Sequence, residues 1–284
     1  MPYVNMNPIL QKARKEKYGV GAFNIVNHLI ARAVIQTAEE LNSPLIIQTS
    51  TSTVKSLGVK ELITMLQPMA EAAKIPIAIH LDHCTDLEFT KKCIDAGWSS
   101  VMFDGSKLPL EENIKCTNEI IEYAHKKNVS IEGELGAIFG VEEDIIVRSG
   151  EGALATLEGS QRFLAEAKVD AYAPAIGTAH GLYKGKPNIQ FDLFAEIEKF
   201  SPCPLVVHGG TGLDDDTFKR LIQTGGAKVN ISTALKIAYF EGMKEYLSNH
   251  ENDVEPLKID KNISESIKKV AKTHMILFGS ENKA

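Results

Sequence analysis

The chain alternates between two kinds of segment, and that alternation limits what it can fold into. Short apolar runs lie at residues 20–24, 45–49, 75–79, 100–104, 129–134, 170–176, 204–208 and 227–231. Between and after them, apolar residues recur at helical spacing over 7–18, 28–41, 159–168, 192–200, 215–223, 233–247 and 261–278. Three further helices are expected. One carries Leu62, Leu66, Met69 and Ala73, and one carries Ile114, Thr117, Ile121 and Ala124. The third opens at Thr85-Asp86-Leu87-Glu88, which has the form of a capping box. Strands separated by helices pair in parallel. Eight such units in 284 residues predict a single-domain α/β protein, a closed (β/α)8 TIM barrel, with its site at the C-terminal strand ends. The last stretch, about 251–284, is expected as a C-terminal helical extension. A doubly wound open sheet would gather its polar clusters at one switch point, whereas here they follow nearly every strand.

Composition narrows the partners. The net charge of -6, without a basic run, offers no footprint for nucleic acid or a membrane surface. The start, Met1-Pro2-Tyr3-Val4-Asn5, lacks the basic flank and apolar core of a signal peptide. No apolar stretch approaches the ~18 residues of a spanning helix. Cys84, Cys93, Cys116 and Cys203 have no pair spacing, so a reduced, cytoplasmic protein is expected.

The polar clusters carry the chemistry. His80-Leu81-Asp82-His83, Gly177-Thr178-Ala179-His180-Gly181 and His208-Gly209-Gly210-Thr211-Gly212 each follow a strand-like run. Three histidines from three strand ends can converge on one metal and leave a fourth position open, as in a catalytic zinc site. Asp82, beside His83, is placed to move a proton to or from an oxygen. Glu132 and Glu134 alternate on one strand face, and buried carboxylates need a cation or hydrogen bonds; both are candidates for an alternate metal position or for support of the ligands. Gly209-Gly210-Thr211 and Asn230-Ile231-Ser232-Thr233 would offer backbone N–H groups to a phosphate, which barrels often hold after strands seven and eight. The loop expected over residues 136–156 carries Glu142-Glu143-Asp144, and a loop of that length in a small domain is usually functional or mobile.

Taken together, Ile79-His80-Leu81-Asp82-His83, Glu132-Gly133-Glu134-Leu135-Gly136, Gly177 to Gly181, His208 to Gly212 and Lys228 to Thr233 resemble the class II, zinc-dependent ketose-bisphosphate aldolases of the fructose- and tagatose-bisphosphate type. The resemblance implies Zn²⁺ on His83, His180 and His208, and Asp82 as acid/base at the carbon-4 oxygen. It implies Glu143 as the group exchanging the carbon-3 proton of dihydroxyacetone phosphate, with Glu142 the alternative. Gly181, Gly209, Gly210, Thr211, Asn230, Ile231, Ser232 and Thr233 would hold that phosphate, with Na⁺ or K⁺ nearby. Asn24, Ser50 and Ser106 match positions near the other end of the sugar. A homodimer or homotetramer is implied as well. The chemistry agrees, since breaking the bond between carbons 3 and 4 leaves an enediolate whose charge Zn²⁺ can stabilise. A Schiff-base lysine is not evident: Lys184 and Lys228 are the nearest, and both read as loop or phosphate-side charges.

One departure concerns the distal phosphate. Bisphosphate-specific relatives carry an Asp-Pro-Arg segment whose arginine reaches it across a subunit contact. Here the region reads Asp253-Val254-Glu255-Pro256-Leu257-Lys258. Lysine lacks arginine's bidentate grip, so Lys258 is expected to do the job less tightly, or the distal group is another anion, as in 6-deoxy-6-sulfofructose 1-phosphate. A metal-dependent barrel hydrolase is the alternative chemistry. Such enzymes usually want an early His-x-His pair, and strand one ends in Phe23-Asn24. A non-catalytic binding barrel fits the intact Asp-His, His and His set poorly.

Overall fold

The structure, a computed structural model, describes residues 2–142, 145–147, 154–181 and 187–284. Its strands are β1 Val20–Asn24, β2 Leu45–Ser50, β3 Ile77–Cys84, β4 Ser100–Phe103, β5 Ser130–Leu135, β6 Phe139–Glu142, β7 Ile145–Val147, β8 Ala171–Pro174, β9 Ala179–His180, β10 Leu205–Val207 and β11 Gly226–Ile231. Its helices are α1 Met6–Glu16, α2 His28–Glu40, α3 Thr51–Leu57, α4 Val59–Ala72, α5 Leu87–Ala96, α6 Leu110–His125, α7 Leu157–Glu166, α8 Phe191–Phe200, α9 Asp215–Thr224, α10 Thr233–Asn249 and α11 Pro256–Leu277. Eight strands pair in parallel and close a barrel in the order β1-β11-β10-β8-β5-β4-β3-β2. This is the expected TIM barrel.

The strands are buried on both faces, which is why they read as nearly continuous apolar runs. Their lumen-facing residues change character along the axis. At the lower end Val20, Ala22, Ile46, Ala78, Ala171, Ala173 and Val206 form one apolar cluster with Met6, Ile9, Leu10 and Ala13 of α1, which plugs that end. Further along the barrel, at period two on β1, β2, β3, β5 and β11, come Asn24, Gln48, His80, Asp82, Glu132, Glu134, Lys228 and Asn230, all buried. Register carries them around the barrel: Asn24 lies beside Gln48, Gln48 beside His80, and Ser50 beside Asp82.

Several expectations change. The strand expected at 75–79 starts at Ile77 and runs on to Cys84, because His80, Asp82 and His83 find polar partners inside the barrel. The hydroxyl-rich stretch Thr49 to Thr53 passes from the end of β2 straight into a helix. It opens α3, whose first turn the Ser50 hydroxyl caps by accepting from the Thr53 N–H at 3.2 Å. Asp86 rather than Thr85 caps α5, accepting from Phe89 N at 3.0 Å. The last helix begins at Pro256, five residues before the expected 261, since proline suits a first helical turn. The segment expected as an open loop after Gly136 holds β6 and β7, an antiparallel pair that joins β9 in a separate three-stranded sheet. Among the described residues, no helix is long and apolar enough to cross a membrane.

Helix packing depends on close approaches. A Cβ at Gly133 would lie 2.8 Å from Phe163 Cζ, so glycine between the two glutamates lets α7 sit against β5. Phe163 is fully buried and stacks on Tyr172 of β8 with ring centroids 5.5 Å apart. Phe163→Ala is therefore expected to lower unfolding free energy by about 3–5 kcal/mol, measured by urea denaturation followed at Trp98. A loss below about 1 kcal/mol would mean that this face of α7 is not close-packed.

Candidate metal centre

Adjacent residues on a strand face opposite ways, yet Asp82 and His83 are expected to serve one site. The structure resolves this with a backbone device. The β3–β4 register shifts between Leu81 and Cys84, and His83 takes φ 47°. A left-handed residue in a bulge turns its side chain back toward the strand's other face. His83, His180 and His208 then converge, each offering a ring nitrogen within 4.8 Å of the others. The ring centroids of His83 lie 5.0 Å from His180 and 4.7 Å from His208. His208 directly follows β10, as expected. His180 stands beyond the end of β8, on β9, where Gly140 of β6 is its strand partner.

Carboxylates surround the three rings. Asp104 Oδ2 lies 2.9 Å from His83 Nδ1, which leaves Nε2 as the ring atom for a metal. His208 Nε2 lies 2.7 Å from Glu132 Oε1. Its Nδ1 is buried without a hydrogen-bond partner, 3.2 Å from Glu134 Oε2, which is likewise unpartnered. Burial pulls the His208 pKa down, but Glu132 and Glu134 outweigh it and push it up to about 9. Burial pulls His83 down too, and Asp82, Asp104 and Glu134 carry it well above the ordinary range. Glu134 is raised by burial and by Asp104. Glu132 and Asp104 are held low despite burial, the first chiefly by Lys228 and the second by His83. Asp82, Asp104, Glu132 and Glu134 share this enclosed space with Lys228. That excess of negative charge, together with the unpartnered His208 Nδ1, fits a divalent cation. A second set, His83, Asp104 and Glu134, also converges within 4.8 Å.

Asp82 is held by side-chain amides. Its Oδ2 accepts from Asn24 Nδ2 at 2.9 Å and Gln48 Nε2 at 3.4 Å, and its Oδ1 accepts from Asn230 Nδ2 at 3.4 Å. Gln48 also donates to Asn24 Oδ1 at 2.8 Å, fixing which way that amide points. Sequence reasoning missed Gln48. The signal was there in a polar residue at the lumen-facing position of an apolar strand. Lys228 corrects another reading, for it is not a loop or phosphate-side charge. It is wholly buried in the lumen, its Nζ 2.9 Å from Glu132 Oε2.

The glycine-rich turns have an architectural reason. Gly209 has φ 66°, and a Cβ there would lie 2.4 Å from the carbonyl oxygen of Ala179, so the turn after His208 crosses tightly under β9. A Cβ on Gly210 would lie 2.8 Å from Asn230 O. Thr211 Oγ1 accepts from Ala234 N at 3.3 Å in the first turn of α10. Ile231 ends β11 and Thr233 opens α10. Between them the Ser232 hydroxyl is buried with no hydrogen-bond partner. Gly181, at φ 83°, follows His180.

The sugar-side residues are placed less simply. Ser50 faces Asp82 across β2 and β3 but caps α3, and the Ser106 hydroxyl donates to Asp104 Oδ1 at 2.6 Å. Lys258 lies on α11, its Nζ 2.7 Å from Asp253 Oδ2. Glu143 and Lys184 lie outside the described residues, as does the side chain of Glu142. Gly209→Ala should strain the crossing by about 1–3 kcal/mol and displace His180. Divalent-metal affinity should fall about 10–100-fold in a chelator competition; unchanged affinity would mean that this crossing does not position His180.

A family model described as "Fructose-bisphosphate aldolase class-II" matches residues 4–283. The chain is similar to a protein named sulfofructosephosphate aldolase from Alkalicoccus urumqiensis, at 37% identity over 284 residues, covering 100% of this chain and 99% of that one. It is 38% identical over 288 residues to fructose-bisphosphate aldolase of Geobacillus stearothermophilus, covering 100% and 99%. Among solved structures, the YdjI aldolase from Escherichia coli K12 matches with a TM-score of 0.87 at 28% identity, covering 99% of each chain. With a parallel eight-stranded barrel, a histidine centre at its mouth and a match along nearly its whole length, the chain belongs to the class II fructose-bisphosphate aldolase family.

Proposed function

We propose that this chain is a zinc-dependent aldehyde-lyase. It reversibly cleaves a ketose 1-phosphate, of the fructose or tagatose 1,6-bisphosphate type, to dihydroxyacetone phosphate and an aldehyde such as glyceraldehyde 3-phosphate. The observation that carries the reading is an amide-clamped carboxylate, Asp82, directly beside a converging trio of buried imidazoles. His83, His180 and His208 would hold the metal, which when bound supplies Lewis-acid stabilisation of negative charge on substrate oxygen. Asp104 and Glu132 orient His83 and His208. Asp82 takes the proton from the carbon-4 hydroxyl in cleavage and returns it to the aldehyde oxygen in condensation, while Asn24, Gln48 and Asn230 keep its carboxylate aimed. Glu143, with Glu142 the alternative, would exchange the carbon-3 proton.

The phosphate of dihydroxyacetone phosphate would sit at the start of α10. The unpartnered hydroxyl of Ser232, at the N-terminal end of that helix, supports this. Gly181, Gly209, Gly210, Thr211, Asn230, Ile231 and Thr233 would line it, with Lys184 as a phosphate-side charge and Na⁺ or K⁺ alongside. Ser50 and Ser106 would face the distal group. The reading extends to a cytoplasmic homodimer or homotetramer, in which Lys258 would serve a neighbouring subunit. Val254 and Leu257, 89% and 74% exposed beside it, support a covered surface there.

A sulfonated tail is the second reading. The likeness to a protein named sulfofructosephosphate aldolase, at 37% identity, is about as close as that to the fructose-bisphosphate enzyme at 38%, and the region where the resemblance led us to expect an Asp-Pro-Arg segment offers Lys258 instead. The deciding comparison is kcat/KM for ketose 1-phosphates bearing phosphate, sulfonate or hydroxyl at carbon 6. A preference for either anion fits one of the two readings, and a preference for the hydroxyl compound would remove the distal anion pocket.

Removing the metal with a chelator should abolish cleavage, and Zn²⁺ should restore it; full turnover by metal-free protein would overturn the assignment. Asp82→Ala should lose roughly 10²–10⁴-fold in kcat while retaining a full complement of metal. Metal loss in proportion to activity would instead make Asp82 a support for the ligands.

A further inference from the structure

Lys228 is fully buried in the barrel lumen, where a cation is costly unless something uses its charge. Its Nζ has two close partners. One is Glu132 Oε2 at 2.9 Å, and the other is Asn230 Oδ1 at 2.8 Å. Each begins a short chain of polar contacts that ends at the reacting centre. Glu132 presents its other oxygen to His208 Nε2 at 2.7 Å. Asn230 presents its amide nitrogen to Asp82 Oδ1 at 3.4 Å.

The donor inventory fixes the direction of both chains. An ammonium has donors only, so the carbonyl end of Asn230 must face Lys228 and its NH₂ end must face Asp82. Glu132 turns Oε2 to that ammonium at 2.9 Å and Oε1 to His208 Nε2 at 2.7 Å, so Nε2 is the ring atom that donates. That leaves Nδ1 as the ring atom a metal would take, and it lies 3.2 Å from Glu134 Oε2 without a hydrogen bond. His80 closes the wall of this group, with Nδ1 on Ser100 Oγ at 2.7 Å and Nε2 3.7 Å from Glu132 Oε2.

We propose that Lys228 is a positioning residue. It sets the hydrogen-bond polarity of both the His208 ligand and the Asp82 base, so that one buried cation keeps metal binding and proton transfer in register. Lys228 touches neither substrate nor metal and acts only through Glu132 and Asn230. A lysine that merely filled the lumen would need neither direction. The inference rests on the zinc-aldolase reading above.

The test uses the full chain, with Co²⁺ as a visible probe of the zinc position. Lys228→Met removes the cation. Lys228→Met with Glu132→Gln removes both charges, and so avoids leaving a buried carboxylate alone. Variants that retain the wild-type circular dichroism are expected to bind Co²⁺ about 10–100-fold more weakly, with an altered d–d absorption spectrum. Their kcat should fall more than KM changes. Should the single variant fail to fold, the doubly neutral one carries the same readouts. Folded variants with Co²⁺ affinity within about twofold of wild type and an unchanged spectrum would overturn the proposal. One measurement needs no variant. In zinc-loaded wild type labelled with ¹⁵N-histidine, His208 should carry its proton on Nε2, and a proton on Nδ1 would overturn the proposal. A wild-type protein that takes up no Co²⁺ would overturn the zinc reading itself and this inference with it.

Discussion

The mouth of this barrel depends on an imbalance of buried charge. Asp82, Asp104, Glu132 and Glu134 are withdrawn from water into one enclosed space where Lys228 is their fixed cation. Carboxylates in such surroundings are costly unless a cation or a full set of donors meets them. Each has a different answer. Asp104 has His83 and Ser106, Glu132 has Lys228 and His208, and Asp82 has amides from three strands. Glu134 has an oxygen with no hydrogen bond, opposite an equally unpartnered nitrogen of His208. The leftover demand is for positive charge, and it falls between three imidazoles.

The rest of the fold holds that imbalance in place. Helix α1 and the small lumen residues at the lower end seal the barrel and keep water from entering below the charged layer. The bulge at the end of β3 brings His83 round to the side of Asp82. Gly209 lets the turn after β10 pass under β9, which carries His180. Tertiary packing therefore fixes where the three imidazoles stand, and the strain of a left-handed histidine falls where two adjacent side chains turn into one space.

Much of this was legible in the sequence because the barrel repeats. Alternating apolar runs and helical spacing revealed the eight units, and the site histidines stood beside glycines or an aspartate after those runs. Interior polarity was harder to read. A buried strand looks apolar throughout, so Gln48 passed as an ordinary strand residue and Lys228 as a loop or phosphate-side charge, although both sit at lumen-facing positions of period two. Capping was misjudged by one residue at α5, since Thr85 and Asp86 are both good caps and only tertiary context chooses between them. The stretch after Gly136 looked like open loop because β6, β7 and β9 are too short to show a period.

The most direct test of the account is the identity of the atoms around the metal. Zinc-edge X-ray absorption on purified protein, paired with anomalous diffraction at the same edge, reports both coordination and position. One zinc ion per chain is expected, with imidazole nitrogens of His83, His180 and His208 at about 2.0–2.1 Å and an open fourth position beside Asp82. Zinc found only among His83, Asp104 and Glu134, or a coordination sphere of oxygen alone, would contradict it.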